Sequence, residues 1–110
     1  MYVRFNTAAK RELIDAVNFY DQQVGGLGEE FFSEVQQFVA LLIDNPALGK
    51  RVPDDRRAVL MNRFPYRLIY RLDEVGVRIV AVSHQKRRPD YWRGRVEEPR
   101  PRYAILQQAA

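Results

Sequence analysis

Apolar and polar residues alternate through YVRF at positions 2–5, so the first element predicted is a short strand. The period then lengthens. Leu13, Val17, Tyr20 and Val24 recur at i, i+4, i+7 and i+11, with Ile14 beside them. That spacing predicts a helix of about four turns with one apolar stripe. Asn6 or Thr7 can supply a side-chain oxygen to its first turn. The segment VGGLG (24–28) ends it, because adjacent glycines take positive φ without penalty. No strand precedes these glycines and no Gly-Lys-Ser/Thr follows, so they do not read as a phosphate loop. A second helix is predicted over Leu27–Asn45. Phe31, Val35, Phe38 and Leu42 form one row and Phe32, Val39 and Ile43 the next, a face wide enough to be buried along much of its length. Glu29 and Glu30 suit its first turn, and Asn45-Pro46 stops it.

Residues 46–56 (PALGKRVPDDR) read as a loop. Strands are predicted at 57–62 (RAVLMN), Tyr66–Leu72 and Val77–Ser83, the last two joined by a turn over Asp73–Gly76. Connections this short force an antiparallel meander, and the two helices must cover one of its faces. The order β-α-α-β-β-β therefore describes an α+β fold of two layers, a helical hairpin packed on an antiparallel sheet. The chain of 110 residues suits one domain, placed at 1–95. Residues 96–110 form a polar, proline-bearing tail, loosely ordered alone or with a short helix over AILQQAA.

A symmetric turn pairs Leu72 with Val77, Tyr70 with Ile79, Leu68 with Ala81 and Tyr66 with Ser83. Alternation then puts Tyr66, Leu68, Tyr70, Leu72, Val77, Ile79 and Ala81 on one face, an almost wholly apolar set that belongs under the helices. The open face carries Arg67, Ile69, Arg71, Arg78, Val80, Val82 and His84. Arg71 lies opposite Arg78, an unfavourable pairing that an anion or a partner's carboxylate would relieve; alternatively both heads reach water.

Charge changes the picture more than composition does. Residues 1–45 hold three basic and seven acidic residues, a net −4, which leaves +8 for residues 46–110. A basic back half points to a polyanionic partner, nucleic acid or an acidic protein segment, or else to charges spread over a solvated surface. There is no cysteine, hence no disulfide and no thiolate zinc site. No apolar run approaches the roughly 20 residues that span a bilayer, and no secretory signal is read, which fits a cytoplasmic protein.

The chemistry-bearing stretch is HQKRRPDYWRGR, residues 84–95, with the single His and single Trp of the chain. Interleaved cations and aromatics suit RNA, since arginine meets phosphate with a bidentate fork and rings stack on unpaired bases. Tyr91 and Trp92 have an alternative role in packing the end of the sheet. If the chain cuts RNA, Arg67, Arg87 and Arg88 would stabilise charge while His84 and Tyr91 move protons. No carboxylate cluster calls for a metal and no motif calls for a cofactor. Arg63, Arg71, Arg78, Lys86, Trp92, Arg93 and Arg95 complete the candidate binding surface.

The segments AAKRELIDAVNFYDQQVGGLGEEFFSEVQQ, NPALGKRV, RFPYRLIYRL and VSHQKRRPDYWRGR resemble, in order and spacing, the RelE/ParE superfamily of type II toxin–antitoxin toxins. Members are also labelled plasmid stabilisation proteins. The likeness spans about residues 2–95. It implies the fold derived above, an antitoxin encoded alongside and a toxin–antitoxin hetero-oligomer. The RelE-like branch cleaves mRNA on the ribosome. Arg67 matches its strand arginine, Arg87 or Arg88 its late arginine, and Tyr91 its C-terminal tyrosine. The lysines that branch carries just upstream are missing, since residues 57–66 have none and Lys50 is distant. The ParE-like branch instead poisons DNA gyrase. Growth arrest by one of these routes is the leading expectation. A non-toxic RNA- or protein-binding module, or a structural partner in a larger complex, are the others.

Overall fold

The computed structural model describes residues 2–95, so the expectations for the tail lie outside the described residues. The elements are β1 (Tyr2–Phe5), α1 (Thr7–Gln23), α2 (Leu27–Asp44), β2 (Lys50–Val52), β3 (Arg56–Leu60), β4 (Tyr66–Leu72) and β5 (Gly76–His84). Both helices lie on one face of a five-stranded sheet of order β1-β5-β4-β3-β2. The two-layer α+β architecture is the one expected. The sheet is mixed rather than wholly antiparallel, because β1 joins β5 in parallel, while β2, β3, β4 and β5 form the antiparallel meander.

β2 falls in the stretch read as a loop. Three residues with one apolar position carry no readable period. Their pairing is secured from outside by Tyr70, fully buried, whose hydroxyl donates to the Pro46 carbonyl at 2.6 Å and accepts from the Gly49 amide at 2.9 Å. Arg57 donates to the Gly49 carbonyl at 2.8 Å. A side chain at Gly49 would stand 2.8 Å from the Tyr70 ring, so only glycine fits this anchor.

The helical hairpin closes more tightly than its loop predicts. Gly26 takes φ 88° at the start of α2, as a left-handed N-cap. Gly28 serves a second purpose, close approach. A Cβ there would lie 2.3 Å from the Val17 carbonyl oxygen, and its amide donates to Asp21 at 2.8 Å. α1 buries Ala9, Leu13 and Ala16, whereas Ile14 and Val24 of the expected stripe are exposed. α2 buries Phe31, Val35, Phe38 and Leu42 as its first row predicts. Its second row departs from the prediction. Phe32 is exposed and Val39 and Ile43 are half-buried, because a two-layer fold has nothing above that flank. With Val3 and Phe5 of β1 this row lines an apolar groove of about 390 Å3. Tyr20, Phe31, Phe64 and Tyr66 meet edge-on or tilted at the centre of the core, with centroids 4.9 to 6.2 Å apart. Asn6 is the N-cap of α1, but its side chain accepts from Arg78 at 2.9 Å instead of capping the helix.

The β4–β5 ladder contains one slip. Leu72↔Val77, Arg71↔Arg78 and Tyr70↔Ile79 pair as expected. The ladder then resumes at Ile69↔Ala81 and runs through Leu68↔Val82 and Arg67↔Ser83 to Tyr66↔His84. Val80 is the extra residue of a β-bulge. Val80 and Ala81 both join Ile69 and Trp92 in a small second core on the face away from the helices. Beyond the bulge the expected faces of β5 are exchanged. Val82 packs with the helices, Ser83 faces the open side, and His84 sits with Tyr66 on the helix side.

Candidate functional site

The bulge decides which candidate residues meet. Leu60, Arg67 and Ser83 are register neighbours across β3, β4 and β5 on the open face. Leu60 is exposed, Ser83 is buried, and Arg67 is half-buried with an Nε that no acceptor reaches among the described residues. Tyr91 lies beside Ser83. The Arg87 guanidinium stacks over the Tyr91 ring, 3.9 Å from its centroid. Arg67, Tyr91 and Arg87 thus border one region.

His84 lies on the other face from Arg67. Its ring stands edge-on to Tyr66 at 5.0 Å, and its Nδ1 accepts the Lys86 amide at 3.0 Å, which leaves Nε2 to carry the proton of the neutral ring. It lines a cavity of about 340 Å3 with Glu12, Asp15, Phe19, Tyr66 and Arg87. Burial, with smaller contributions from Tyr20, Glu12 and Asp15, pushes the Tyr66 hydroxyl above its ordinary pKa. The expectation that His84 shares a face with Arg67 is therefore corrected. A symmetric ladder was assumed, and Val80 breaks it.

The basic run divides sharply. Lys86, Arg87 and Arg88 form an exposed turn at the end of β5, closed by the Arg87 amide on the His84 carbonyl at 3.0 Å. The residues after it are consumed by the fold. Trp92 is 2% exposed and seated on Ile69, Val80 and Ala81, so it packs rather than binds. Arg93 pairs with Asp54 at 3.2 Å through two nitrogens. Arg95 pairs with Glu12 through two nitrogens at 2.9 Å and donates to the Val80 carbonyl at 3.0 Å. Tyr91 donates its hydroxyl to Glu12 at 2.5 Å, and burial together with that bond raises its pKa. A phenol so held is a poor proton donor to anything else.

Two further candidates are also structural. Arg63 is tied to α2, its amide to Glu34 at 3.2 Å and its guanidinium to Glu30 at 2.8 Å. Arg78 is buried, donating to Asn6 and lying 3.6 Å from Asp73. Arg71 stands opposite it and is half-buried with a partner of its own. The carboxylate that relieves the arginine row is internal. Asp73 binds Arg4. Burial raises its pKa, but the amides of Val75 and Gly76 and the Arg4 guanidinium outweigh that and hold it below its ordinary value.

Glu12 is the residue the sequence reading missed. Its carboxylate also accepts the Val82 amide at 3.1 Å, on the part of β5 that β1 does not reach. The signal available was its position, three residues after Ala9 and four before Ala16, on the flank of α1 that turns inward. Among the described residues no group of three or more His, Cys, Asp or Glu is placed to hold a metal, and no helix is long and apolar enough to cross a membrane.

The chain belongs to the ParE toxin family of the type II toxin–antitoxin system parDE, whose family model matches residues 3–89. No curated protein matches it. Among solved structures it is similar to the chromosomal ParDE TA system from P. aeruginosa. That likeness has a TM-score of 0.65 and 18% identity, covers 76% of this chain and 95% of that one, and shows the fold alone.

Proposed function

We propose that this chain is a growth-arresting toxin that acts in the cytoplasm by binding DNA gyrase, not by cutting mRNA, and that a cognate antitoxin holds it inactive. One observation carries the choice of mechanism. The bulge at Val80 separates His84 from Arg67, while Glu12 occupies the Tyr91 hydroxyl. Cleavage by a neighbouring 2′-hydroxyl needs a base and an acid beside the charge-stabilising group. Neither candidate is free beside Arg67. What remains is a binding surface: the Lys86–Arg88 turn with its flank of Leu60, Arg67 and Ser83.

The antitoxin segment suits the apolar groove between α2 and β1, where an amphipathic stretch would cover Phe32, Val39 and Ile43. In this reading the toxin–antitoxin complex is a hetero-oligomer whose antitoxin also screens the basic turn.

Induced expression of the chain alone tests the reading. Growth should stop, purified gyrase should lose supercoiling activity, and mapped mRNA 5′ ends should stay unchanged. Ribosome-dependent cuts that disappear in Arg67→Ala would overturn the gyrase mechanism. Unimpaired growth with full expression would instead favour a non-toxic binding module.

A further inference from the structure

We propose that Glu12 is the positioning residue of the basic turn: acting through Tyr91, it sets where the Arg87 guanidinium stands. The inference rests on the reading of that turn as the binding surface.

Four donors converge on this one carboxylate: the Val82 amide, the Tyr91 hydroxyl and two nitrogens of Arg95. The first belongs to β5 and the others to the run after the turn. Glu12 therefore fixes the strand before the turn and the chain after it to a single point on α1. Between the two fixed ends lie Lys86, Arg87 and Arg88. The link to Arg87 is direct, since its guanidinium rests on the Tyr91 ring whose hydroxyl Glu12 holds.

Stability alone does not call for a carboxylate here. The Glu12 and Arg95 side chains are 16% and 20% exposed. Desolvating such a pair cancels much of its attraction, and replacing both Glu12 and Arg95 by apolar side chains would cost little. A carboxylate supplies directional acceptors. The polarity also matters. Val82 N–H and Tyr91 O–H can only be answered by an acceptor at position 12. Exchanging the two charged residues keeps the ion pair but leaves both donors facing a cation.

The test uses the full chain, with three readouts that do not depend on toxicity. The sole tryptophan, Trp92, reports the seating of the run by its fluorescence. The side-chain NMR signal of Arg87 reports its stacking on Tyr91 through the ring-current shift. Amide exchange at Val82 reports the strand end. In Glu12→Gln we expect the Arg87 ring-current shift to collapse, Trp92 emission to move to the red, and Val82 to exchange about tenfold faster. Far-UV circular dichroism should stay native. Tyr91→Phe keeps the ring and should lose only part of the shift. Glu12→Arg combined with Arg95→Glu should restore none of these signals. Should Glu12→Gln not fold, Glu12→Asp serves, because its shorter side chain cannot reach the Val82 amide, the Tyr91 hydroxyl and Arg95 together, and the same changes are expected. An Arg87 signal unchanged in Glu12→Gln, or recovered in the exchanged pair, would overturn the proposal. Gyrase inhibition by the same variants is a separate reading. If the wild-type chain does not inhibit gyrase, the proposed function fails while the three structural readouts still judge Glu12.

Discussion

The two halves of the run 84–95 are alike in composition and opposite in use. Lys86, Arg87 and Arg88 stand in solvent, and none forms an ion pair among the described residues. Arg93 and Arg95, in a context just as basic, are answered by Asp54 and Glu12, 39 and 83 residues away in sequence. Trp92 between them is core. The difference teaches that a basic aromatic stretch is not one functional unit. A cation's role depends on whether the fold brings a distant carboxylate to it, which spacing along the chain does not reveal.

The comparison breaks first at Trp92. If residues 91–95 are an anchor, Trp92→Ala should cost about 3–5 kcal/mol of stability in denaturant unfolding. A loss below about 1 kcal/mol would make it part of the surface. Asp73 is a counterpart at the far end of the open face. Asp73→Asn leaves Arg4 and Arg78 buried beside a neutral group and should cost about 3 kcal/mol. Because its folded-state pKa is depressed, its contribution is present above the unfolded value of about 3.9 and is lost as pH falls through the folded value. The acid limb of an unfolding profile should therefore flatten in Asp73→Asn.

Tyr91 gives the opposite limb and a smaller effect. Its folded-state pKa is raised, so its contribution is complete below about pH 10 and is lost as pH rises through the folded value. Trp92 fluorescence should report release of the run above about pH 10, and Tyr91→Phe should remove that step. Alanine at Lys86, Arg87 or Arg88 should change stability by less than about 0.5 kcal/mol each. On the function proposed above, the triple replacement should nevertheless abolish gyrase inhibition. A triple variant that unfolds would place the turn with the anchor. Arg93→Gln should leave the melting temperature unchanged, because its pair with Asp54 is exposed to solvent and screened.

Much of the fold was legible because its elements have distinct periods. The α2 row of Phe31, Val35, Phe38 and Leu42 is a helical stripe, and the turn at Asp73–Gly76 is polar between two apolar runs. The failures have one cause in common. β5 is buried on both faces from Gly76 to Ser83, by the helices on one side and the second core on the other. A strand covered on both faces has no alternation, so nothing in IVAV marks an extra residue. The wrong face for His84 came from that alone. β2 was missed because three residues cannot show a period. Glu12 was missed because its partners lie 70 to 83 residues ahead. What local pattern encodes was readable; what depends on non-local contacts was not.

The bulge also gives the strand a spare residue. Removing Val80 would leave Tyr70↔Ile79 and Ile69↔Ala81 as consecutive rungs of an ordinary ladder, so Val82, Ser83 and His84 would keep their present faces. The loss would fall on the seat of Trp92 and on the carbonyl that Arg95 holds. A one-residue deletion at this point would thus keep the faces of the strand end while loosening residues 91–95. Chains of this family one residue shorter in this strand should keep the faces of its end and carry something smaller than tryptophan beneath it.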